Sequence, residues 1–384
     1  MPDVFEAVES LKSFARIRVH DNAEHLLALS HTIHANPELA FQEHEASARI
    51  ADTLAHHGFS IHADVAGLST AFVATAGSGP LVIAICAEYD ALPGIGHACG
   101  HNVIASCATG AGIALAAVAD DLAITVKVIG TPAEEGGGGK IILLEHGVFD
   151  GVHAAMMVHP ASFDTTDISC LAVSHIQASY TGEEAHASAF PERGVNAADA
   201  LTIAQVSIGL LRQHLRPKDQ VHGIVTLGGS APNVVPKHAQ GQFMIRARTL
   251  EDLATLEPRI ERCFRAGATA TGAELSIERL SPTYSDLTPD VDMLAFYTAN
   301  AERLGRSFAP PNGMPITLST DMANVSRKVP SIHPMIGIDA GGATNHQPEF
   351  AAACISASAD RAVLDGATAM AWTAIDLSMS RHGT

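Results

Sequence analysis

The sequence predicts an α/β protein of two domains: a mostly parallel-sheet domain with a smaller, ferredoxin-like domain inserted into it. First, a chain of 384 residues exceeds the size at which one hydrophobic core usually keeps growing. Second, strand-like runs alternate with helical ones up to residue 158, which is typical of a parallel sheet covered by helices. Third, from residue 175 the order changes to β-α-β-β-α-β, the order of a split βαβ sandwich.

The elements of the first domain follow from the spacing of apolar residues. Residues 23–35 and 44–57 carry apolar side chains at helical spacing, and Pro37 and Gly58 end these two helices. Apolar runs then predict strands at 81–87, 124–129 and 154–158, separated by helices at 103–118 and 140–146.

In the inserted domain the patterns predict four strands and two helices. The strands are 175–181, 222–228, 238–248 and 274–280, and the helices are 195–215 and 251–268. Thr249 and Asp252 form a capping box for the second helix, whereas Pro258 predicts that this helix kinks or restarts. Helices and strands alternate again after Ser285. We therefore expect a discontinuous metal-binding domain, 1–174 and 283–384, around an insert at 175–282.

Composition and charge indicate a globular protein that binds neither nucleic acid nor an anionic membrane. Hydrophobic residues make up 47% and charged residues 17%, and the formal net charge is −18. Residues 174–282 hold 11 basic and 11 acidic side chains, so the remainder, with 12 basic and 30 acidic ones, carries the whole surplus. This surplus either attracts cations or serves solubility, and the sequence leaves both interpretations open.

The chain carries the features of a cytoplasmic protein. Its first 20 residues lack the basic start and apolar centre of a signal peptide, and no apolar run reaches the roughly 20 residues needed to span a bilayer. Six cysteines are scattered through the long chain, which indicates reduced thiols rather than a disulfide framework.

Side chains suited to binding a divalent metal follow three of the predicted strands. They are Asp90, Cys99 and His101 after the first strand, Glu134 and Glu135 after the second, and His159 after the third. Because the carboxyl ends of parallel strands meet at one edge of a sheet, we expect these side chains to converge. The sequence therefore predicts a metal site at this edge.

Each of these segments taken alone also has an ordinary structural explanation. An isolated cysteine is more often a small buried apolar residue than a ligand, although Gly100 lets the backbone turn so that Cys99 and His101 can reach one centre. Glu134 and Glu135 could be a solvated helix start, and His159 could be an ordinary residue at a strand end.

The motifs resemble the dinuclear metallopeptidase family of aminoacylases and glutamate-type carboxypeptidases. More narrowly, the chain resembles the amidohydrolase branch, with its aminobenzoyl-glutamate hydrolases, plant auxin-conjugate hydrolases and a dipeptidase subgroup. The motifs that carry this resemblance are His34–Leu39, Glu88–Pro93, Gly96–Asn102, Thr131–Gly139, Ala185–Ser188, Gly194–Ala197, Ala231–Pro236, Ser319–Met322 and Thr344–His346.

The resemblance implies a two-metal centre that activates water. The implied ligands of two divalent ions, zinc or manganese, are Cys99, His101, Glu135, His159 and His346. Glu134 would be the general base that takes a proton from the activated water and then protonates the leaving amine, and Asp90 would orient a ligand. A cysteine among the ligands suits zinc or manganese better than magnesium or calcium.

The resemblance also implies that the inserted domain is a lid and that it forms the interface of a homodimer. His186 matches a lid histidine that contacts the substrate in the partner's site. Asn233 and Arg246 match positions that hold the substrate carboxylate, although Arg246 could equally be a solvated strand residue. Two residues depart from the subgroup pattern: Ala323 replaces the usual glycine, and Asn102 stands where many relatives have aspartate.

We therefore expect metal-dependent hydrolysis of an amide bond in a small N-acyl amino acid or dipeptide with a free carboxylate. The alternative is a catalytically silent, metal-dependent binding or scaffold protein of the same fold. A thiol redox role for Cys99 is disfavoured because no other cysteine lies at motif spacing.

Overall fold

A computed structural model describes residues 4–166, 168–308 and 316–382. The chain forms two compact units: residues 1–169 together with 287–384, called the outer unit, and Cys170–Asp286, called the inserted unit. In the described residues, no helix combines the length and the apolar character needed to cross a membrane.

The first part of the outer unit alternates helices and strands. Its helices are α1 Val4–Asp21, α2 Ala23–Ala35, α3 His44–His56, α4 His101–Ala116 and α5 Gly139–Glu145. Its strands are β1 Ser60–Ala63, β2 Phe72–Gly77, β3 Leu81–Ala87, β4 Ile124–Gly130, β5 Ala154–Met156 and β6 His159–Ala161, after which β7, Ile168–Cys170, leads toward the inserted unit.

The inserted unit has the element order β-α-β-β-α-β. It consists of β8 Ala172–Thr181, α6 Ala197–Leu211, β9 Gln220–Leu227, β10 His238–Ala247, α7 Leu250–Thr271 and β11 Glu274–Arg279. Its sheet has the order β11-β8-β10-β9, and all three pairings are antiparallel. Both helices pack on this sheet around Tyr180, Phe243 and Phe264.

Helix α7 runs without interruption through Pro258, so the predicted restart there is wrong. The Thr249 hydroxyl accepts a hydrogen bond from the backbone N–H of Asp252 (3.1 Å), which confirms the predicted cap. Pro258 and Ala254, whose carbonyl loses its helical partner, are both exposed. Water can therefore hydrogen-bond to this carbonyl, and the apolar face of α7 still packs on the sheet.

After the insert the chain returns to the first sheet. The elements are α8 Val291–Arg303, β12 Ile316–Leu318, α9 Met322–Ser326, β13 Ser331–Ile332, β14 Met335–Gly337, α10 Pro348–Ala353 and α11 Ala357–His382. Strand β13 pairs parallel with β5, and β14 pairs parallel with β6.

The central sheet of the outer unit has the order β1-β2-β4-β3-β5-β13 and is mostly parallel, as predicted. Strands β1 and β2 form an antiparallel edge that the sequence patterns missed, because both are short and only partly buried. Helix α4 is buried on every side from His101 to Leu115, packed against β3 and α11. A helix that is apolar all round belongs in a core, and its fixed position holds the residues at its N-terminus.

Candidate metal centre

The candidate centre lies at the carboxyl ends of parallel strands in the outer unit. Asp90 follows β3, Glu134 and Glu135 follow β4, and His159 begins β6 just after β5. Strands β4, β3 and β5 are neighbours and run parallel, so the segments that follow them start from the same edge of the sheet. His346 comes from the loop that precedes α10.

A tight turn presents Cys99 and His101. Gly100 has φ +78° and is the N-cap of α4, which begins at His101. A Cβ at this position would lie 2.4 Å from Cγ of Pro160, so the approach of the turn to β6 requires glycine. The turn is also tied to the segment of His346, whose backbone N–H donates to the carbonyl oxygen of Ala98 (2.8 Å).

Asp90 connects His101 to Glu135. Its Oδ1 lies 2.9 Å from Nδ1 of His101, and its Oδ2 accepts the backbone N–H of Glu135 at 3.0 Å. Because an ionised carboxylate only accepts, Nδ1 of His101 carries the proton and Nε2 faces the centre. Burial disfavours the imidazolium, but Asp90 outweighs it and holds the pKa of His101 well above its ordinary range.

Cys99 and His159 face each other, with Sγ 3.4 Å from Nε2. Nδ1 of His159 donates to the carbonyl oxygen of Pro160 (2.8 Å), which leaves Nε2 with its lone pair toward Cys99. Burial, and then the neighbouring His333, hold the pKa of His159 well below its ordinary range. Burial, and then the Glu135 carboxylate, raise the pKa of the Cys99 thiol well above its ordinary range. The neutral imidazole is the form of histidine that binds metal, whereas the Cys99 thiol must lose its proton, a loss that a bound cation favours.

Glu135 and His346 complete the set. Oε1 of Glu135 lies 3.4 Å from Nε2 of His346, and this neighbouring carboxylate raises the pKa of His346. His346 has φ +70°, a backbone conformation uncommon for a residue other than glycine, and it is the exposed member of the set. Glu134, which precedes Glu135 in the chain, is buried, with Oε2 4.0 Å from Nε2 of His101.

Donor atoms of these residues are grouped as two divalent cations would require. One group is Cys99, His101 and His159, and a second is Cys99, Glu135 and His346; within each group the donor atoms lie within 4.8 Å of one another. Among the described residues, Nε2 of His101 and Oε1 of Glu135 are buried without a hydrogen-bond partner. Buried polar atoms normally have partners, so these donors fit a metal pair, and Cys99 belongs to both groups.

A buried ion cluster beside the centre was missed by the sequence analysis. Nζ of Lys140 lies 2.5 Å from Oε1 of Glu88 and 2.7 Å from Oδ1 of Asp321, and all three side chains are fully buried. The backbone N–H of Lys140 donates to the other oxygen of Asp321 (2.9 Å). The available signal was a lysine among the apolar residues of α5 and an acid directly after the apolar strand β3.

This cluster acts on Glu134 through its charge. Burial, followed by the carboxylates of Glu88 and Glu135, raises the pKa of Glu134 well above its ordinary range. A carboxylate with a raised pKa accepts a proton more readily than a solvated one, which suits a residue that takes up and releases a proton.

The three predicted substrate residues all lie in the inserted unit, and that unit separates them. His186 and Asn233 are exposed and adjacent, since the backbone N–H of Ala187 donates to the carbonyl oxygen of Asn233 (3.0 Å). Both lie beyond the His238 end of β10, whereas Arg246 lies near its other end. Arg246 is half-buried, and its Nε donates to Nε2 of His222 (3.1 Å).

Both departures from the subgroup pattern occupy buried positions in the outer unit. The Asn102 amide donates to Oγ of Ser30 (2.9 Å) and to the carbonyl oxygen of Cys354 (3.0 Å). An aspartate at this position could not donate to that carbonyl, so asparagine ties α4 to the segment after α10. Ala323 lies in α9, two residues after Asp321.

The chain is similar to known peptidases and hydrolases in sequence and in fold. A family model described as peptidase family M20/M25/M40 matches residues 84–363. Xaa-Arg dipeptidase of Mus musculus is 38% identical over 396 residues, which cover 96% of this chain and 89% of that protein. One subunit of the p-aminobenzoyl-glutamate hydrolase of Escherichia coli is 33% identical over 273 residues, which cover 65% of this chain and 56% of that subunit. A Bacillus subtilis structure described as a dinuclear metal binding peptidase superposes with a TM-score of 0.70 at 22% identity. The superposition covers 94% of this chain and 99% of that one.

Proposed function

This chain belongs to peptidase family M20/M25/M40, and we propose that it hydrolyses the amide bond of a dipeptide or small N-acyl amino acid with metal-activated water. Metal-dependent amide hydrolysis follows from the family itself, with its dipeptidase and acyl-amino acid hydrolase members. The observation that carries the assignment to particular residues is the grouping of donor atoms on either side of Cys99, each group including one buried atom without a hydrogen-bond partner in the described residues, Nε2 of His101 or Oε1 of Glu135.

Two divalent cations, zinc or manganese, would be held by Cys99, His101 and His159 on one side and by Cys99, Glu135 and His346 on the other. When bound, such a pair supplies Lewis acidity toward water and the amide carbonyl. Asp90 keeps Nε2 of His101 turned to the centre and also fixes the backbone of Glu135, so a single side chain positions one ligand from each group.

Glu134 is the proposed general base and acid. It is adjacent to the proposed ligand Glu135 in the chain, and it is nearly completely buried. Its raised pKa favours uptake of a proton from the attacking water, and the same carboxyl can then deliver that proton to the leaving nitrogen. One side chain would therefore serve both halves of the reaction.

The substrate class we propose is a dipeptide whose C-terminal residue is free and basic. The Mus musculus relative, which aligns over 96% of this chain, is named for dipeptides ending in arginine. Outside residues 174–282 the chain carries 30 acidic against 12 basic residues, and such a field favours the approach of a cationic substrate.

Substrate binding is assigned to His186, near the scissile carbonyl, and to Asn233 and Arg246, at the substrate carboxylate, and the placement of these residues supports a homodimer. Arg246 lies eight residues along β10 from His238, which corresponds to about 26 Å of extended strand. Residues that far apart in one copy cannot hold one dipeptide together. We therefore assign His186 and Asn233 to the site of the partner subunit.

The surface through which a second copy binds is proposed to be the β9 edge of the inserted unit. Strand β9 ends its sheet, and its Ile224, Val225 and Leu227 are 64%, 48% and 39% exposed. Val206 and Leu210 of α6 are exposed as well, at 57% and 66%. A free, apolar strand edge is a ready template for pairing, and a second β9 would cover it.

A cytoplasmic location completes the proposal. It is supported by the six cysteines, all of which are free and buried in the structure.

Glu134→Gln tests the assignment of the base. We expect this variant to lose about 10²–10⁴-fold in kcat on a panel of basic dipeptides and acyl-amino acids, because it cannot take up the proton. Its metal content, measured by elemental analysis, should equal that of the wild type. Glu145→Gln, an exposed carboxamide substitution in the same region of the chain, is the control and should retain full activity.

Full turnover by Glu134→Gln would remove Glu134 from its role. A metal-loaded wild type that hydrolyses no member of the panel would instead favour the silent binding or scaffold alternative.

A further inference from the structure

Glu88 is a fully buried carboxylate at the centre that is none of the five proposed ligands. Its Oε1 accepts a hydrogen bond from Nζ of Lys140. Its Oε2 lies 3.5 Å from Nε2 of His101, and neither of these two atoms has a hydrogen-bond partner among the described residues. Buried polar atoms normally have a binding partner. Two such atoms that face each other without hydrogen-bond partners therefore indicate a third group between or beside them.

Lys140 does not account for the charge of Glu88. The same ammonium also pairs with Asp321, at 2.7 Å, and Asp321 additionally accepts the backbone N–H of Lys140. One lysine between two buried carboxylates leaves one negative charge without a counter-ion. An unpaired buried charge is strongly unfavourable, so a second positive charge is needed on the Oε2 side: the imidazolium of His101 in the metal-free protein, or a metal ion bound by the neutral imidazole.

The position of that cation is given by His101. Glu88, His101 and Glu134 form a third group whose donor atoms lie within 4.8 Å of one another, and Nε2 of His101 lies 3.5 Å from Oε2 of Glu88 and 4.0 Å from Oε2 of Glu134. His101 also belongs to the group with Cys99 and His159. Lys140, held by Asp321, keeps Oε1 engaged and leaves Oε2 to face His101.

We propose that Glu88 is a sixth protein ligand and binds, through Oε2, the cation that His101 binds. This rests on the proposed two-metal function. In the structure Glu88 is grouped with His101 and Glu134, and His101 is grouped separately with Cys99 and His159, so a cation on Nε2 of His101 would draw Glu88 toward Cys99 and His159. The His101 position would then have four protein ligands, namely Cys99, His101, His159 and Glu88, whereas the other position has only Cys99, Glu135 and His346. Four protein ligands close a metal site, and three leave room for water and substrate. The His101 position is thus the tighter of the two, and the His346 position is the open one.

The test is a metal titration of the full-length protein after removal of metal with a chelator. Mn²⁺ is added to the wild type and to Glu88→Gln, and binding is followed by calorimetry, by the metal-to-protein ratio after gel filtration and by the Mn²⁺ paramagnetic resonance signal. We expect two sites of unequal affinity in the wild type. Glu88→Gln should weaken the tighter site at least about tenfold and leave the weaker one unchanged, because its amide oxygen can still accept from Lys140.

Glu43→Gln is the control. It makes the same carboxylate-to-amide change at another buried residue, one that belongs to none of the groups of donor atoms in the described residues, so both affinities should stay within about threefold of the wild type. Wild-type affinities in Glu88→Gln, or an equal loss in Glu43→Gln, would overturn the role of Glu88. A wild type that binds fewer than two ions would instead contradict the proposed function.

Circular dichroism and thermal unfolding of each metal-free variant verify that it is folded. If Glu88→Gln does not fold, Glu88→Asp replaces it, since this variant keeps the charge next to Lys140 and shortens the side chain by one methylene. The tighter site should again weaken about tenfold or more, and unchanged binding would count against ligation by Glu88.

Discussion

Asp90 shows how one residue can fix two sides of a site. Each of its oxygens accepts a hydrogen bond from a different candidate ligand, one from the ring of His101 and one from the backbone of Glu135. The carboxylate therefore sets both the protonated nitrogen of an imidazole and the direction of a loop. In the sequence Asp90 is one acid among many, and only its motif neighbours indicate its role.

Glu43 is a second buried carboxylate near the centre, and it should make stability depend on pH. Its side chain is fully buried and accepts the backbone N–H of Ala133 (2.9 Å), next to Glu134. Burial raises its pKa from an ordinary 4.5 to about 7. Between these two values the folded protein keeps a proton that the unfolded chain releases, so the free energy of unfolding should fall as the pH rises from about 4.5 to 7.

Ionisation of Glu43 should lower the free energy of unfolding by about 3 kcal/mol over this pH range. Glu43→Gln should remove this contribution to the pH dependence of stability. Urea unfolding of the metal-free protein at pH 5 and pH 7 measures the effect. Glu184→Gln, which changes an exposed carboxylate, should retain the wild-type slope. An identical slope in Glu43→Gln would show that Glu43 is already ionised at pH 5.

At the scale of elements, the turn between β3 and α4 decides whether the ligands can meet. The turn must bring Cys99 beside His159 while α4 begins immediately afterwards at His101. Gly94 and Gly100 both have φ +78° in this segment, but only Gly100 is closely packed. This pair of glycines separates the cost of backbone conformation from the cost of contact.

Gly100→Ala should destabilise the metal-free protein by about 2–4 kcal/mol. This is the sum of the cost of a left-handed backbone conformation for alanine and the cost of a steric clash with Pro160. Gly94→Ala has the same φ and no atom within 4 Å of its new Cβ, so it should cost only about 1–2 kcal/mol. Urea unfolding of both variants at equal ionic strength measures the difference. Equal losses would mean that the turn shifts away from β6 without cost.

At the scale of the molecule, the outer unit carries the proposed chemistry, and the inserted unit carries the residues proposed to hold the substrate. Arg246 and the pair His186 and Asn233 lie toward opposite ends of β10, which is why the proposed function requires two copies of the chain. Quaternary structure and activity should therefore be linked.

Ile224→Lys should convert a dimer of two 40.0 kDa chains into monomers, because it places a charge on the apolar β9 edge. Sedimentation equilibrium measures the mass, and kcat should fall together with it. Leu280→Lys places the same charge on another exposed apolar residue, beyond β11, and should leave the dimer intact. A monomeric wild type, or a dimeric and fully active Ile224→Lys, would contradict this interface.

Mixing two inactive variants tests the crossing of His186 more directly. Glu134→Gln and His186→Ala disable different halves of the proposed composite site, so exchange of subunits should rebuild one intact site in each mixed dimer. An equimolar mixture would then recover up to about a quarter of wild-type activity. No recovery after verified exchange would place His186 in the site of its own chain.

Local patterns predicted most of the elements because hydrophobic periodicity reports which face of a segment is buried. Helices α2 and α3 and strand β3 occur nearly where apolar spacing placed them. The predicted restart at Pro258 was wrong because the penalty for proline depends on whether the freed carbonyl can reach water, and that depends on the burial of the neighbouring residues. The antiparallel edge was missed because short, half-exposed strands carry little periodic signal.

By itself, the sequence determined the alternation of helices and strands, the family motifs and the residue types suited to metal chemistry. Only the tertiary structure decided which of those groups meet. Glu88, Lys140 and Asp321 are separated by 52 and 181 residues and nevertheless form one buried cluster. In a linear sequence a charged residue that will be buried is indistinguishable from one that will be solvated. Burial decides whether it needs a counter-ion, and burial is a property of the packed chain.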